Sequence, residues 1–156
     1  MVSLTHGKER LMAHRTLSES LTDIDLFSGL PEAVISDLVE AGSTIHTPAG
    51  HTAVCQGSSD AGLQVVLKGS ATVEVNGVAR GNPLAPGDYF GEISVIDGLG
   101  RSATLTAGEG GLETFTISPL NFWPLIDRHP TMAHSLLRAL SARIRELDAL
   151  EAPKAS

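Results

Sequence analysis

From residue 43 onward the chain is cut, roughly every six to ten residues, by glycine or proline turns, and no other feature constrains its fold as strongly. The turns read PAGH, QGSSDAG, KGS, NGV, GNPLAPGD and GEGG, with short apolar runs between them. Helices of ordinary length do not survive such punctuation, whereas short antiparallel strands in a sandwich or barrel do. The clearest strand is SATVEV, which puts Ala71, Val73 and Val75 on one face and Thr72 and Glu74 on the other. Asn76-Gly77 behind it is the strongest short hairpin signal in the chain. RSATLTA and GLETFTIS read as a strand pair across a Gly108–Gly111 turn, and Cys55 reads as a buried strand residue. The β region therefore runs from 43 to 118.

Helical patterning flanks it on both sides. Within residues 1–42, Leu26, Phe27 and Leu30 form a small apolar anchor. Pro31 suits the start of a helix that places Val34, Ile35, Leu38 and Val39 on one face and ends at Gly42. Within 119–150, Ser118-Pro119 starts a helix through Phe122, Trp123, Leu125 and Ile126, which His129-Pro130 breaks. A last helix follows, with Ala133, Leu137, Leu140, Ile144 and Leu147 spaced as a seam of a/d type. Such a seam more often packs on the chain's own β region than on a second chain, though a homodimer is compatible with it.

Bulk properties exclude several classes. With 156 residues there is room for one domain, so 1–156 reads as a single unit. A net charge of −7 argues against a nucleic-acid binder and against an anionic membrane surface. The single Cys55 rules out an internal disulfide framework and fits a reducing cytoplasm. No apolar run has the length of a membrane span, and MVSLTHGKERLMAH lacks the apolar core of a signal peptide. The six histidines, His6, His14, His46, His51, His129 and His134, include no His-x-His pair followed by an acid, so no metal site is read.

The chemistry is concentrated in APGDYFGEISVIDGLGRSATLTA, residues 85–107. A glycine turn delivers Tyr89-Phe90 to the core, Gly91 follows, and Glu92 stands where a short helix begins. The loop Gly98-Leu99-Gly100 then returns the chain to Arg101-Ser102 and a strand. A short helix start offers backbone N–H groups to an anion, Arg101 adds a planar fork, and Ser102 adds a hydroxyl. A carboxylate beside a phosphate site repels the ligand unless it accepts from a hydroxyl. A sugar hydroxyl next to a phosphate meets that condition. The plainer alternative is an ion pair of Glu92 with Arg101 that braces the loop.

Phe90-Gly91-Glu92-Ile93-Ser94, a loop, then Arg101-Ser102-Ala103-Thr104-Leu105 resembles the phosphate-binding cassette of cyclic-nucleotide-binding domains. Such domains occur in catabolite activators, kinase A regulatory subunits and cyclic-nucleotide-gated channels. The resemblance extends outward over most of the chain, from LFSGLPEAVISDLVEAG to LNFWPLIDRHPTMAHSLLRALSARIRELD. It implies a mainly β fold with flanking α, a double-stranded β-helix or jelly-roll-like β-roll of about eight strands. It further implies that Glu92 accepts the ribose 2′-OH. Arg101 and Ser102 would hold the cyclic phosphate, helped by the N–H groups of Gly91, Ile93 and Ser94. Val73 would pack on the purine, and the last helix would close over the base through Leu147. Where catabolite activators place small hydroxyl residues on that helix, this chain has Leu147 and Asp148.

The resulting expectation is a cytoplasmic regulatory sensor, not an enzyme. Its ligand is cAMP, with cGMP the alternative, and it needs no cofactor. It signals through the C-terminal helix to an effector protein, with no DNA or membrane binding by this chain alone. Only EAPKAS follows Leu150, and a DNA-binding domain needs on the order of 50 residues. Three rivals are a relative or fragment of a cyclic-nucleotide-responsive transcription regulator, a degenerate domain used for protein contacts, and a cupin-type metalloenzyme.

Overall fold

The computed structural model describes residues 16–59 and 62–151. In chain order its elements are α1 (Leu17–Thr22), a 3-10 turn (Asp25–Phe27), α2 (Glu32–Ala41), β1 (Ser43–Thr47), β2 (Thr52–Val54), β3 (Leu63–Val75) and β4 (Val78–Ala79). Then come β5 (Tyr89–Phe90), α3 (Glu92–Asp97), β6 (Thr104–Ile117), α4 (Pro119–Arg128) and α5 (Pro130–Glu151). The strands form one antiparallel sheet in which β1, β6, β3 and β4 are neighbours. β2 joins β6, and β5 joins β3.

Two long strands organise everything. β3 and β6 pair from Leu63↔Ile117 down to Glu74↔Thr104, with irregularities between Val66 and Lys68 and between Gly69 and Ala71. Above this bend β6 takes β1 as its second partner, from Ser43↔Thr116 to Thr47↔Leu112; below it, β6 takes β2 at Thr52↔Thr106. Gly69 turns the corner with φ +82°, and a Cβ there would run into the Gly111 carbonyl. Only glycine allows that approach.

Six strands are therefore named among the described residues, where about eight were expected, because two of them run through bends that read as turns. The Gly108–Gly111 segment is the main correction. It does not separate a strand pair but lies inside continuous β6. The glycine chemistry is real, but the long partner strand bends with it and keeps the ladder going. Asn76-Gly77 does close the expected hairpin, pairing Val75 with Val78 and taking φ 52° and 78°, as a type I′ turn requires. Cys55 is also corrected: it is exposed, one residue past the end of β2, where the chain enters the Gln56-Gly57 turn.

Two apolar clusters result. The larger packs Leu21, Leu26, Phe27, Val34, Ile35 and Leu38 of the N-terminal helices on Leu63, Val65, Phe115 and Ile117 of the sheet, and on Phe122, Leu125, Met132 and Leu136. The smaller fills the roll around the bend with Val54, Val66, Ala71, Phe90, Ala103, Leu105, Ala107 and Leu112. Val95 of α3 belongs to the first cluster, and Phe90 and Ala103 on either side of the cassette belong to the second. The cassette is thereby pinned between both cores.

The helical boundaries follow their local chemistry. α2 buries Val34, Ile35 and Leu38 and ends at Gly42. α4 has Ser118 as its cap and Pro119 at its start, and it stops at His129 before Pro130. α5 departs from the expected stripe. Met132 and Leu136 hold it to the core, while Leu137, Ile144 and Leu147 are exposed. From Ser141 to Leu150 every residue is exposed, so the second half of α5 adds nothing to either apolar cluster. Among the described residues no helix is long and apolar enough to cross a membrane.

Candidate functional site

The site grows from one backbone reversal. β5 brings Phe90 into the roll, and Gly91 then takes a left-handed conformation, φ 91°, to start α3. A Cβ at Gly91 would strike both the Arg101 guanidinium and the Gly62 carbonyl, so the reversal and the arginine are fitted to each other. The ladder of α3 opens with Val95 N–H donating to the Gly91 carbonyl at 3.0 Å. The N–H groups of Glu92, Ile93 and Ser94 precede it and have no partner within the helix.

Three polar side chains are buried around this start: Glu92, 1% exposed, Ser94, 3%, and Arg101, 2%. Arg101 Nη1 donates to the Gly62 carbonyl at 2.5 Å, and its guanidinium carbon lies 5.6 Å from the centre of the Phe90 ring. Burying charge is costly unless each group is compensated, and buried charged groups cluster at functional sites. One oxygen of Glu92, Oε2, is buried without a hydrogen-bond partner among the described residues. The other, Oε1, accepts from Arg143 of α5 in an ion pair.

Arg143 is the residue that sequence reading missed. It sits one helical turn before Leu147, on a helix whose outer half was expected to reach the site through an apolar contact. The helix carries Arg138, Arg143 and Arg145, and nothing in their spacing singles out the one that meets Glu92. The field of Arg143 is also felt at half-buried Tyr89, whose hydroxyl is raised above its ordinary pKa of 10.0 by burial while the cation pulls the other way.

Gly91, Glu92, Ile93, Ser94 and Ser102 line one small cavity with Phe90 and Arg143. Arg101 stands immediately behind it, against Gly91 and Gly62. Val73 is half-buried on β3 and packs against the cluster that contains Phe90, so it faces the interior of the roll. Leu147 is 52% exposed and is not part of the cavity lining. Among the described residues no group of three or more His, Cys, Asp or Glu side chains comes together.

No family model matches the chain. Curated proteins do. Over 134 residues it is 28% identical to the CRP-like cAMP-activated global transcriptional regulator of Mycobacterium tuberculosis, a match covering 83% of this chain and 59% of that protein. Over 113 residues it is 31% identical to the cAMP-dependent protein kinase regulatory subunit of Debaryomyces hansenii, covering 72% of this chain and 24% of that one. Among solved structures, the catabolite activator protein of Thermus thermophilus superposes with a TM-score of 0.73 at 30% identity, over 80% of this chain and 60% of that chain. The chain thus spans about three fifths of the length of the first relatives it matches. In sequence and in fold, it is related to the cyclic-nucleotide-binding domains of catabolite activators and kinase A regulatory subunits.

Proposed function

We propose that this chain binds a cyclic nucleotide, cAMP in preference to cGMP, and reports it as a regulatory sensor that makes and breaks no covalent bond. The observation that carries the reading is the buried set of Glu92, Ser94 and Arg101 around left-handed Gly91, with Glu92 Oε2 open. A ribose 2′-OH donating to Glu92 fills the open acceptor, and a cyclic phosphate beside it takes Arg101, Ser102 and the early N–H groups of α3. The preference for cAMP is supported by the two curated relatives described above, both with cAMP in their names. Titration calorimetry with cAMP, cGMP and AMP tests it. The cyclic nucleotides bind, cAMP the tighter, and the open phosphate of AMP costs it most of its affinity. AMP binding as tightly as cAMP contradicts the reading.

Output runs through α5, the element that joins the cassette directly through Arg143. Its exposed stripe of Leu137, Ile144 and Leu147 suits a second copy of the chain. With these residues at a and d, Arg143 falls at g and Asp148 at e, positions that face each other in a parallel pair and carry opposite charge. Ile144→Glu is expected to abolish a concentration-dependent dimer in sedimentation velocity. A wild-type protein that stays monomeric at every concentration rules this output out.

A further inference from the structure

Glu92 and Arg143 make an unequal ion pair, the carboxylate side chain 1% exposed and the guanidinium side chain 47%. The cavity they share with Phe90, Gly91, Ile93, Ser94 and Ser102 encloses about 10 Å³. That is room for about one water molecule, far below the hundreds of Å³ of a small-molecule site. No ribose phosphate enters without displacing something. Phe90, Gly91 and Ser94 are buried in the body of the fold, whereas Arg143 stands on an exposed half-helix.

We propose that Arg143 is an internal cap on the ligand-binding carboxylate of Glu92: paired with Oε1, its guanidinium closes the way to the open Oε2, and lifting the outer half of α5 is the entry step for a sugar hydroxyl. The proposal rests on the nucleotide reading above and adds to it the residue that sets the opening cost. The inner half of α5 stays fixed by Met132, 4% exposed, and Leu136, 8%. Beyond Leu140 the described residues through Leu150 are all exposed, so lifting breaks an ion pair and leaves the core intact. A site occupied by its own side chain binds ligand with an affinity reduced by the fraction of time it is open. Lifting also frees Arg143 to face Asp148 of a second copy, so ligand and dimer use the same residue.

The cap predicts that removing Arg143 tightens binding. Arg143→Ala is expected to bind cAMP about tenfold more tightly than wild type, within the usual range for coupled equilibria. Alanine at an exposed helical position keeps the helix, and Arg143→Lys, which keeps the charge, is expected to stay near wild type. Without ligand, amides 141–150 should exchange faster in Arg143→Ala than in wild type, which reads the tether independently of any nucleotide. If wild type binds cAMP and Arg143→Ala binds equally or more weakly, the cap is overturned and the nucleotide reading stands. If neither protein binds cAMP, the nucleotide reading falls and takes the cap with it.

Discussion

Arg101 Nη1 donates to the Gly62 carbonyl at 2.5 Å, tying the guanidinium to the backbone where β3 begins, 39 positions away. The main chain of the same residue is held from the other side. Its N–H donates to the Ser58 carbonyl at 3.0 Å, and its carbonyl accepts from the Gly57 N–H at 2.8 Å. An arginine fixed at both ends loses little freedom when an anion arrives, which favours binding.

The consequence is a large loss on truncation. Arg101→Ala is expected to weaken cAMP binding by about 30-fold or more, the equivalent of roughly 2–5 kcal/mol. Arg101→Lys should recover little, because an ammonium lacks the planar fork. Titration calorimetry checks both, and wild-type affinity in Arg101→Ala would remove Arg101 from the site.

Gly91 tests how tightly the turn and the arginine are fitted. Gly91→Ala combines a left-handed backbone, with strain of about 1–3 kcal/mol, and a collision with Arg101 and Gly62. Gly50 has a similar φ of +76° with open space around it, so Gly50→Ala carries the backbone strain alone. In denaturant titrations Gly91→Ala should lose clearly more stability than Gly50→Ala. Equal losses would show that the contact is not tight.

A second prediction about stability concerns pH. His129 Nε2 lies 2.6 Å from Asp37 Oδ2, and Arg128 Nη1 lies 3.5 Å from the same oxygen, joining α2 to the corner between α4 and α5. The His129 hydrogen bond holds the Asp37 carboxyl below its ordinary 3.8, desolvation opposes it, and Arg128 adds to the lowering. A lowered folded-state pKa stabilises the fold above the ordinary value, and that stability is lost as the pH falls through the lowered pKa. Asp37→Asn should therefore be less stable at neutral pH and show a shallower acid limb in urea unfolding. Parallel acid limbs in the two proteins would contradict this.

Local signals that act through the backbone were legible in the sequence. Asn76-Gly77 closes its hairpin, Gly42 ends α2, and His129-Pro130 divides α4 from α5. Signals that depend on distant partners were not. Gly108–Gly111 has turn composition, yet β3 bends alongside and keeps β6 whole. The periodic stripe of α5 was visible, but which face the body covers depends on Met132 and Leu136 meeting a core assembled from the N-terminal helices. At the candidate site, Gly91 to Ser94 and Ser102 come together because one short loop carries them. Arg143 lies 51 positions from Glu92, and no spacing rule in sequence links a surface arginine to a buried carboxylate at that distance.

The account depends most on Glu92 meeting a sugar hydroxyl, and one paired titration reads that directly. cAMP and 2′-deoxy-cAMP are titrated side by side into the wild-type protein. A hydrogen bond to a charged group contributes about 1.5–3 kcal/mol, so the deoxy analogue should bind roughly 10- to 150-fold more weakly than cAMP. Equal affinities for the two nucleotides, or no binding of cAMP by the folded protein, would contradict the account.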